Sequence, residues 1–323
     1  MRFDGELTTG TGSTAPRESM LPIPPLVSIL INNYNYGRFL EKAIESALCQ
    51  TYENLEVIVV DDGSTDGSRE IIASYGDRII PVLKENGGQA TAFNAGFERS
   101  SGGIVCFLDA DDLFAAEKVE KVYQTFERHP EIGWCFDRVR QFNDVTGEQN
   151  PLASEWKVGA VDFRRDMAAG TPPNIPTSTS GISMRRNLLA RILPMPEMIR
   201  ITSDGYIKLS AISLAPGWRM AEEITLQRIH GSNLYTGLKA GRKRLVSKTG
   251  LLTGICLWER FPDLERVGTK LFSRNFGMCW MSGGFESECR DLTRTFWARL
   301  PVRSKTEVML KVAYWSARDL VLG

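Results

Sequence analysis

The chain has 323 residues, with 39 basic and 39 acidic side chains, so bulk charge favours neither nucleic acid nor any other charged partner. Its 42% hydrophobic and 24% charged residues exclude a disordered or fibrous chain and fit one large domain or two ordinary ones. The six cysteines (49, 106, 135, 256, 279, 289) show no CxxC pair or metal-type spacing. They read as free thiols in a reducing, cytoplasmic compartment, with Cys49 and Cys106 as small buried apolar groups.

Residues 1–24 are rich in Gly, Ser and Thr, lack an apolar signal core, and read as a disordered tail. No run approaches about 18 apolar residues, so no membrane-spanning helix is expected. The apolar run VSILI (27–31) is expected to be a buried strand. GRFLEKAIESALCQ follows with Leu40, Ile44, Ala47 and Leu48 at helical spacing. LEVIVV (55–60) is a second strand, and STDGSREIIASY a helix with Ser64, Thr65 and Asp66 as capping types. RIIPVL is a third strand, its Pro81 pointing to a sheet edge or a strand end. GGQATAFNAGFERS is a third helix and GIVCFL a fourth strand. Alternation at this spacing predicts a Rossmann-like α/β fold, a mostly parallel sheet flanked by helices.

Ligands bind such sheets beyond the carboxyl ends of the strands. Three polar stretches stand there: Asn32–Tyr36, Asp61–Asp66 and Asp109–Asp112. In LDADDLF one aspartate would suffice to cap a helix near Ala115, which leaves Asp109 and Asp111, two apart, to converge on a divalent cation. Asp61 ends its strand where a carboxylate can accept from a base N–H or a ribose hydroxyl. Tyr34 and Tyr36 offer rings beside a base, worth about 1–3 kcal/mol per stacked base. Gly87 and Gly88 precede a helix and would let an anion approach its N-terminus.

From about residue 115 the alternation weakens. TPPNIPTSTSGISMRRNLL reads as a loop entering a helix, ITSDGYIKLSAIS as a helix, and WRMAEEITLQRIHGSN as strands and a turn. From 245 the pattern is helical. Residues 239–323 carry 16 basic and 8 acidic side chains with Trp258, Trp280, Trp297 and Trp315. Either a solvated helical appendage or a surface for anionic lipid fits that composition. His129, in ERHPE, is expected to be exposed.

VSILINNYNYGRFLEKAIESALCQTYENLEVIVVDDGSTDGSREII, followed by ENGGQATAFNAG and FLDADD, resembles the donor-binding half of family 2 glycosyltransferases of GT-A fold, over about 27–115. The resemblance implies a nucleotide-sugar donor, most simply a UDP-sugar, a divalent cation (Mn2+ or Mg2+), and inverting transfer to a glycan or lipid-linked acceptor in cell-surface polysaccharide synthesis. It implies no nucleic-acid partner. Tyr34 and Asp61 would flank the nucleobase, Asp109 the ribose and Asp111 the metal. Asn33, Asp62, Lys84, Asn94 and Ala110 would line the donor pocket. Asp204 matches the helix-start carboxylate that acts as base, although Ser203 stands where a second carboxylate is usual. Arg228-x-His230-x-x-Asn233 matches a late segment in which His230 approaches the metal and Arg228 balances diphosphate charge. Ile31-Asn32-Asn33 departs from the Pro-Thr-like step common before the tyrosine, which puts the base contact in doubt.

The expected organisation is a tail (1–24), a donor-binding half (25–115), an acceptor and catalytic half of the same domain (116–238), with the acceptor across 172–186, and a helical basic C-terminal extension (239–323). That extension could touch the inner face of a membrane. Two rivals remain: a nucleotide-binding scaffold or regulatory protein without turnover, and a receiver-like phosphoacceptor domain built on VVDDG.

Overall fold

The computed structural model describes residues 24–151, 156–231, 233, 241–281 and 287–322. The expected tail falls outside them, apart from residue 24. In the first half β1 (Val27–Asn33), α1 (Gly37–Leu48), β2 (Leu55–Asp62), α2 (Ser68–Ser74), β3 (Ile80–Lys84), α3 (Gln89–Arg99) and β4 (Ile104–Asp109) alternate as expected. The four strands pair in parallel in the order β3-β2-β1-β4. Pro81 lies in β3, the sheet's edge, where a missing N–H disturbs the ladder least.

Side chains alternate between the two faces of these strands. Ile29, Ile31, Val57, Val59, Cys106 and Leu108 pack on one face with α1 and α4; Leu30, Ile58, Val60, Val105 and Phe107 pack on the other with α3. Both faces are therefore apolar, which is why the strands read as continuous hydrophobic runs.

The second half adds β5 (Leu113–Phe114), α4 (Lys118–Arg128), β6 (Trp134–Phe136), β7 (Val139–Asn143), β8 (Gln149–Pro151), β9 (Gly159–Val161), α5 (Arg164–Ala168), β10 (Ile182–Arg185), α6 (Arg186–Ile192), α7 (Asp204–Leu214), β11 (Gly217–Arg219) and β12 (Thr225–Ile229). The main sheet continues β4-β10-β6-β11-β9, with β10 antiparallel to both neighbours. β5, β12, β7 and β8 form a second, smaller sheet. Lys118, fully buried, joins the two sheets: it pairs with Asp137 and donates to Ser180 O and Thr225 Oγ1, each at 2.9 Å.

The C-terminal part is helical, as expected: α8 (Gly241–Arg260), α9 (Glu265–Met281), α10 (Ser287–Arg299) and α11 (Val302–Leu322). α8 and α9 cross where Gly254 meets Gly268. A Cβ on either would come within 3 Å of the other's carbonyl oxygen. Leu252, Phe272 and Phe296 join the same core cluster as Leu30, Phe107 and Tyr206, so these helices share the core of the sheet's α3 face. No helix among the described residues is long and apolar enough to cross a membrane.

Two expectations about single residues fail. Cys49 is exposed, because it follows the last buried turn of α1 at the C-cap. His129 is half-buried, stacked on Trp218 at 4.1 Å.

Candidate active site

The carboxyl ends of β1, β2 and β4 bring the sequence-predicted residues together, and strand parity decides which way each one faces. Asp61 lies on the α1 face with no exposed surface. It accepts from Asn33 Nδ2 (2.9 Å), Ser64 N (3.1 Å) and Arg69 Nε (2.9 Å). Burial pushes its carboxyl up, but the hydrogen bonds from Ser64, Arg69 and Asn33 outweigh burial and hold it below the usual carboxylate range. A phosphoacceptor role does not fit so enclosed a carboxylate. Tyr34, 47% exposed, stands just outside, followed by Asn35 in the left-handed region (φ 57°) that Asn tolerates best among residues with side chains.

Asp62, one residue on, faces the other side. It accepts from Gly87 N (2.9 Å), Gly88 N (2.7 Å) and Lys84 Nζ (2.6 Å). The anion at the glycine turn is thus the protein's own carboxylate, a correction to the expectation that these amides wait for a ligand. Lys84 is spent on the same loop, also donating to Thr91 Oγ1 and Glu85 O. Asn94 is corrected too: its amide exchanges two hydrogen bonds with the backbone of Met195 and fastens α3 to that segment.

At the end of β4, Asp109 and Asp111 face the cleft, around the buried Ala110. Burial, then the charges of Asp111 and Asp204, push the Asp109 carboxyl up to about 8. Asp111 Oδ2 lies 3.0 Å from His230 Nε2 and 3.2 Å from Asn233 Nδ2. Arg38 Nη2 lies 3.4 Å from His230 Nδ1, on the far side of the ring from Asp111. The rings of Phe39 (4.5 Å) and Tyr36 (5.7 Å) wall the imidazole. Burial and then the nearby Asp111 and Asp109 raise the Tyr36 hydroxyl, which stays protonated and able to donate.

Asp112 turns inward. It accepts from Ser180 Oγ (2.6 Å) and Arg228 N (3.0 Å), while α4 starts only at Lys118 behind Glu117. Neither Asp111 nor Asp112 is therefore its cap. Arg228 is also corrected. Its side chain is buried between the rings of Phe39 and Phe142, donates to Asp111 O at 2.9 Å and pairs with Asp144. The guanidinium braces the acidic turn from behind rather than facing the cleft.

Asp204 opens α7 and pairs with Lys208 at 2.8 Å; Ser203, at the N-cap, is wholly buried. Gln89, the first residue of α3, spans the site. Its Oε1 accepts from Ser203 N (2.9 Å) and its Nε2 reaches Asp109 (3.5 Å). Thr202 holds a positive φ of 48°, a strained backbone just before Asp204. Sequence reading missed Gln89, Lys208, Arg38 and Ser180. Only Lys208 carried a signal, four residues after Asp204 on one helix face.

Among the described residues no group of three or more His, Cys, Asp or Glu forms a ready metal cage. Mg2+-type sites need only one or two carboxylates when a substrate phosphate completes them. The mutually repelling Asp109 and Asp111, with His230 alongside, fit a cation of that kind.

A family model described as Glycosyl transferase family 2 matches residues 28–193, just over half of the chain. The chain belongs to that family. This family 2 chain is 36% identical over 217 residues to a glycosyltransferase of Nostoc sp., covering 64% of this chain and 66% of that one. It is 43% identical over 101 residues to TuaG of Bacillus subtilis, named for teichuronic acid biosynthesis, covering 30% of this chain and 40% of TuaG. The chain thus spans just under two thirds of the first relative and less than half of the second. In structure it resembles S. aureus TarS 1–349 in complex with UDP-GlcNAc (TM-score 0.60, 18% identity, 91% of this chain and 88% of that one). It also resembles the mannosyltransferase PcManGT of Pyrobaculum calidifontis (TM-score 0.51, 16% identity, 92% and 88%). These likenesses show the fold, which is of GT-A type.

Proposed function

We propose that this family 2 chain is an inverting glycosyltransferase that moves a sugar from a nucleotide-sugar, a UDP-sugar, to a glycan or lipid-linked acceptor in cell-surface polysaccharide synthesis. The observation that carries the reading is the bridge made by Gln89, whose Nε2 reaches Asp109 at 3.5 Å while its Oε1 accepts from Ser203 N at 2.9 Å, next to Asp204. The diphosphate end of a donor and a base for an acceptor hydroxyl would then lie side by side. TarS is described with UDP-GlcNAc and TuaG is named for a wall polymer, which supports the choice of donor and product class.

Tyr34 would stack on the nucleobase, with Asn33 and Asp61 fixing the loop beneath it. Asp109 would accept from the ribose. Asp111, with His230 beside it, would hold Mn2+ or Mg2+, which supplies positive charge against the diphosphate. Asp204 would take the acceptor hydroxyl proton as that oxygen bonds to the anomeric carbon and the bond to the diphosphate oxygen breaks. Lys208 donates to Thr177 O at 2.7 Å as well as pairing with Asp204, so it ties the base to the expected acceptor stretch 172–186.

The test is donor binding and turnover over a nucleotide-sugar panel with Mn2+, Mg2+ or EDTA, on wild type and Asp111→Asn. Metal-dependent selection of one nucleotide, lost in the variant, is expected. Binding that ignores both metal and Asp111 would overturn the reading. Binding without any product, unchanged in Asp204→Asn, would replace it with a scaffold role.

A further inference from the structure

The cleft does not account for the last three helices. Between α9, α10 and α11 lies a cavity of about 370 Å³, floored by Phe276, Trp297 and Val312. At about 30 Å³ each, it has room for roughly twelve water-sized groups, yet its lining is almost wholly apolar, which suits hydrocarbon better than water. Trp280 and Met309 form its edge and are 68% and 57% exposed.

The apolar surface continues beyond that edge. Val302, Leu310 and Tyr314 are 80%, 69% and 60% exposed, and with Met309 they fall on one side of α11. Exposed apolar side chains grouped in this way, with Thr306 and Arg303 among them, mark an interaction surface. Trp and Tyr are the aromatic types that favour the boundary between lipid and water. The side chain of Trp315 lies outside the described residues.

Charge selects the partner. Arg290 and Arg294, one turn apart on α10, stand exposed on the same rim. They belong to the segment 239–323, which carries 16 basic against 8 acidic residues. A second copy of the chain packed here by two-fold symmetry would oppose that positive rim with itself. An amphiphile with an anionic head satisfies both features at once.

We propose that this cavity and the adjoining face of α11 bind an anionic phospholipid at a membrane surface, hydrocarbon in the cavity and phosphate at Arg290 and Arg294. The attachment lies on the membrane rather than through it, in keeping with the absence of a spanning helix among the described residues. It does not depend on the donor-site reading.

The experiment is flotation of the full chain with phosphatidylcholine vesicles, with and without phosphatidylglycerol, at low and high salt. Co-flotation is expected only with phosphatidylglycerol, weakening at high salt. It should fall about tenfold or more in the double variant Arg290→Gln with Arg294→Gln, at unchanged thermal stability. Phosphatidylglycerol brominated along its chains should quench tryptophan fluorescence, and Trp280→Phe with Trp297→Phe should remove most of that quench. No flotation, equal flotation on neutral vesicles, or an arginine variant that floats like wild type would each overturn the proposal. So would a concentration-dependent dimer abolished by Met309→Glu in a chain that ignores vesicles, which would assign the face to a second copy.

Discussion

Nε2 of His230 lies 3.0 Å from Oδ2 of Asp111, joining the turn after β12 to the end of β4. If the pair shares a cation with the diphosphate, removing the imidazole should weaken the metal and leave the nucleotide alone. In His230→Ala the Mn2+ concentration for half-maximal donor binding should rise about 10- to 100-fold, with metal-free nucleotide binding unchanged. Calorimetric titration of Mn2+ into protein with nucleoside diphosphate measures it. An unmoved titration would leave His230 only the task of closing the loop.

Asp204 and Lys208 separate chemistry from positioning. Asp204→Asn should lower kcat by about 10²- to 10⁴-fold with donor affinity held, because only the proton acceptor is gone. Lys208→Met leaves the carboxylate but frees it and the Thr177 backbone. A smaller loss, up to about 100-fold in kcat with a raised acceptor KM, is expected. Steady-state kinetics with donor and acceptor varied in turn separate the two. Equal losses in both variants would mean that Asp204 serves only as an anchor for Lys208.

Gly88 adopts φ +93°, and a Cβ there would sit 2.7 Å from Arg200 O. Gly88→Ala should therefore cost at least about 1–3 kcal/mol of stability. Gly103→Ala, whose Cβ would meet nothing within 4 Å, serves as the control and should stay near neutral. Urea unfolding of both variants compares them.

Asp61 makes stability depend on pH. Its folded pKa lies below its unfolded value of about 3.9, so the contribution is complete above that value. It fades as pH falls through the folded value. The stability gap between wild type and Asp61→Asn should accordingly be constant near neutrality and narrow on acidification below about pH 4. Unfolding midpoints across a pH series would show it, and a gap that stays constant into acid would remove the claim.

The donor half was legible because its strands are buried on both faces. Uniform apolar runs such as IVCFL end abruptly in carboxylates, and that boundary survives translation into structure. The second half was legible only in part: the helix over ITSDGYIKLSAIS and the strands of WRMAEEITLQRI are present, but β5 to β10 are two to five residues long and too short to show a period. Nor does sequence tell which carboxylate faces the cleft. Asp62 is taken by amides 25 and 26 residues further on, and Arg228 N holds Asp112 from 116 residues away. Gln89 looks like any polar helix residue, and only the docking of α3 against the Ser203 segment gives it a role.

Asp61 and Asp62 are neighbours in sequence and stand on opposite sides of one sheet. β2 consequently works as a ruler. Its length from Leu55 to Asp62 decides which acid faces the α1 side with Asn33 and which clamps the glycine turn. Deleting a single residue inside this strand would turn each acid to the opposite face and take both from their partners without changing either side chain, since every position after the gap moves by one. The spacing between the first turn of the chain and its acidic ends is thus a coordinate in its own right, as informative as the identity of the acids it delivers.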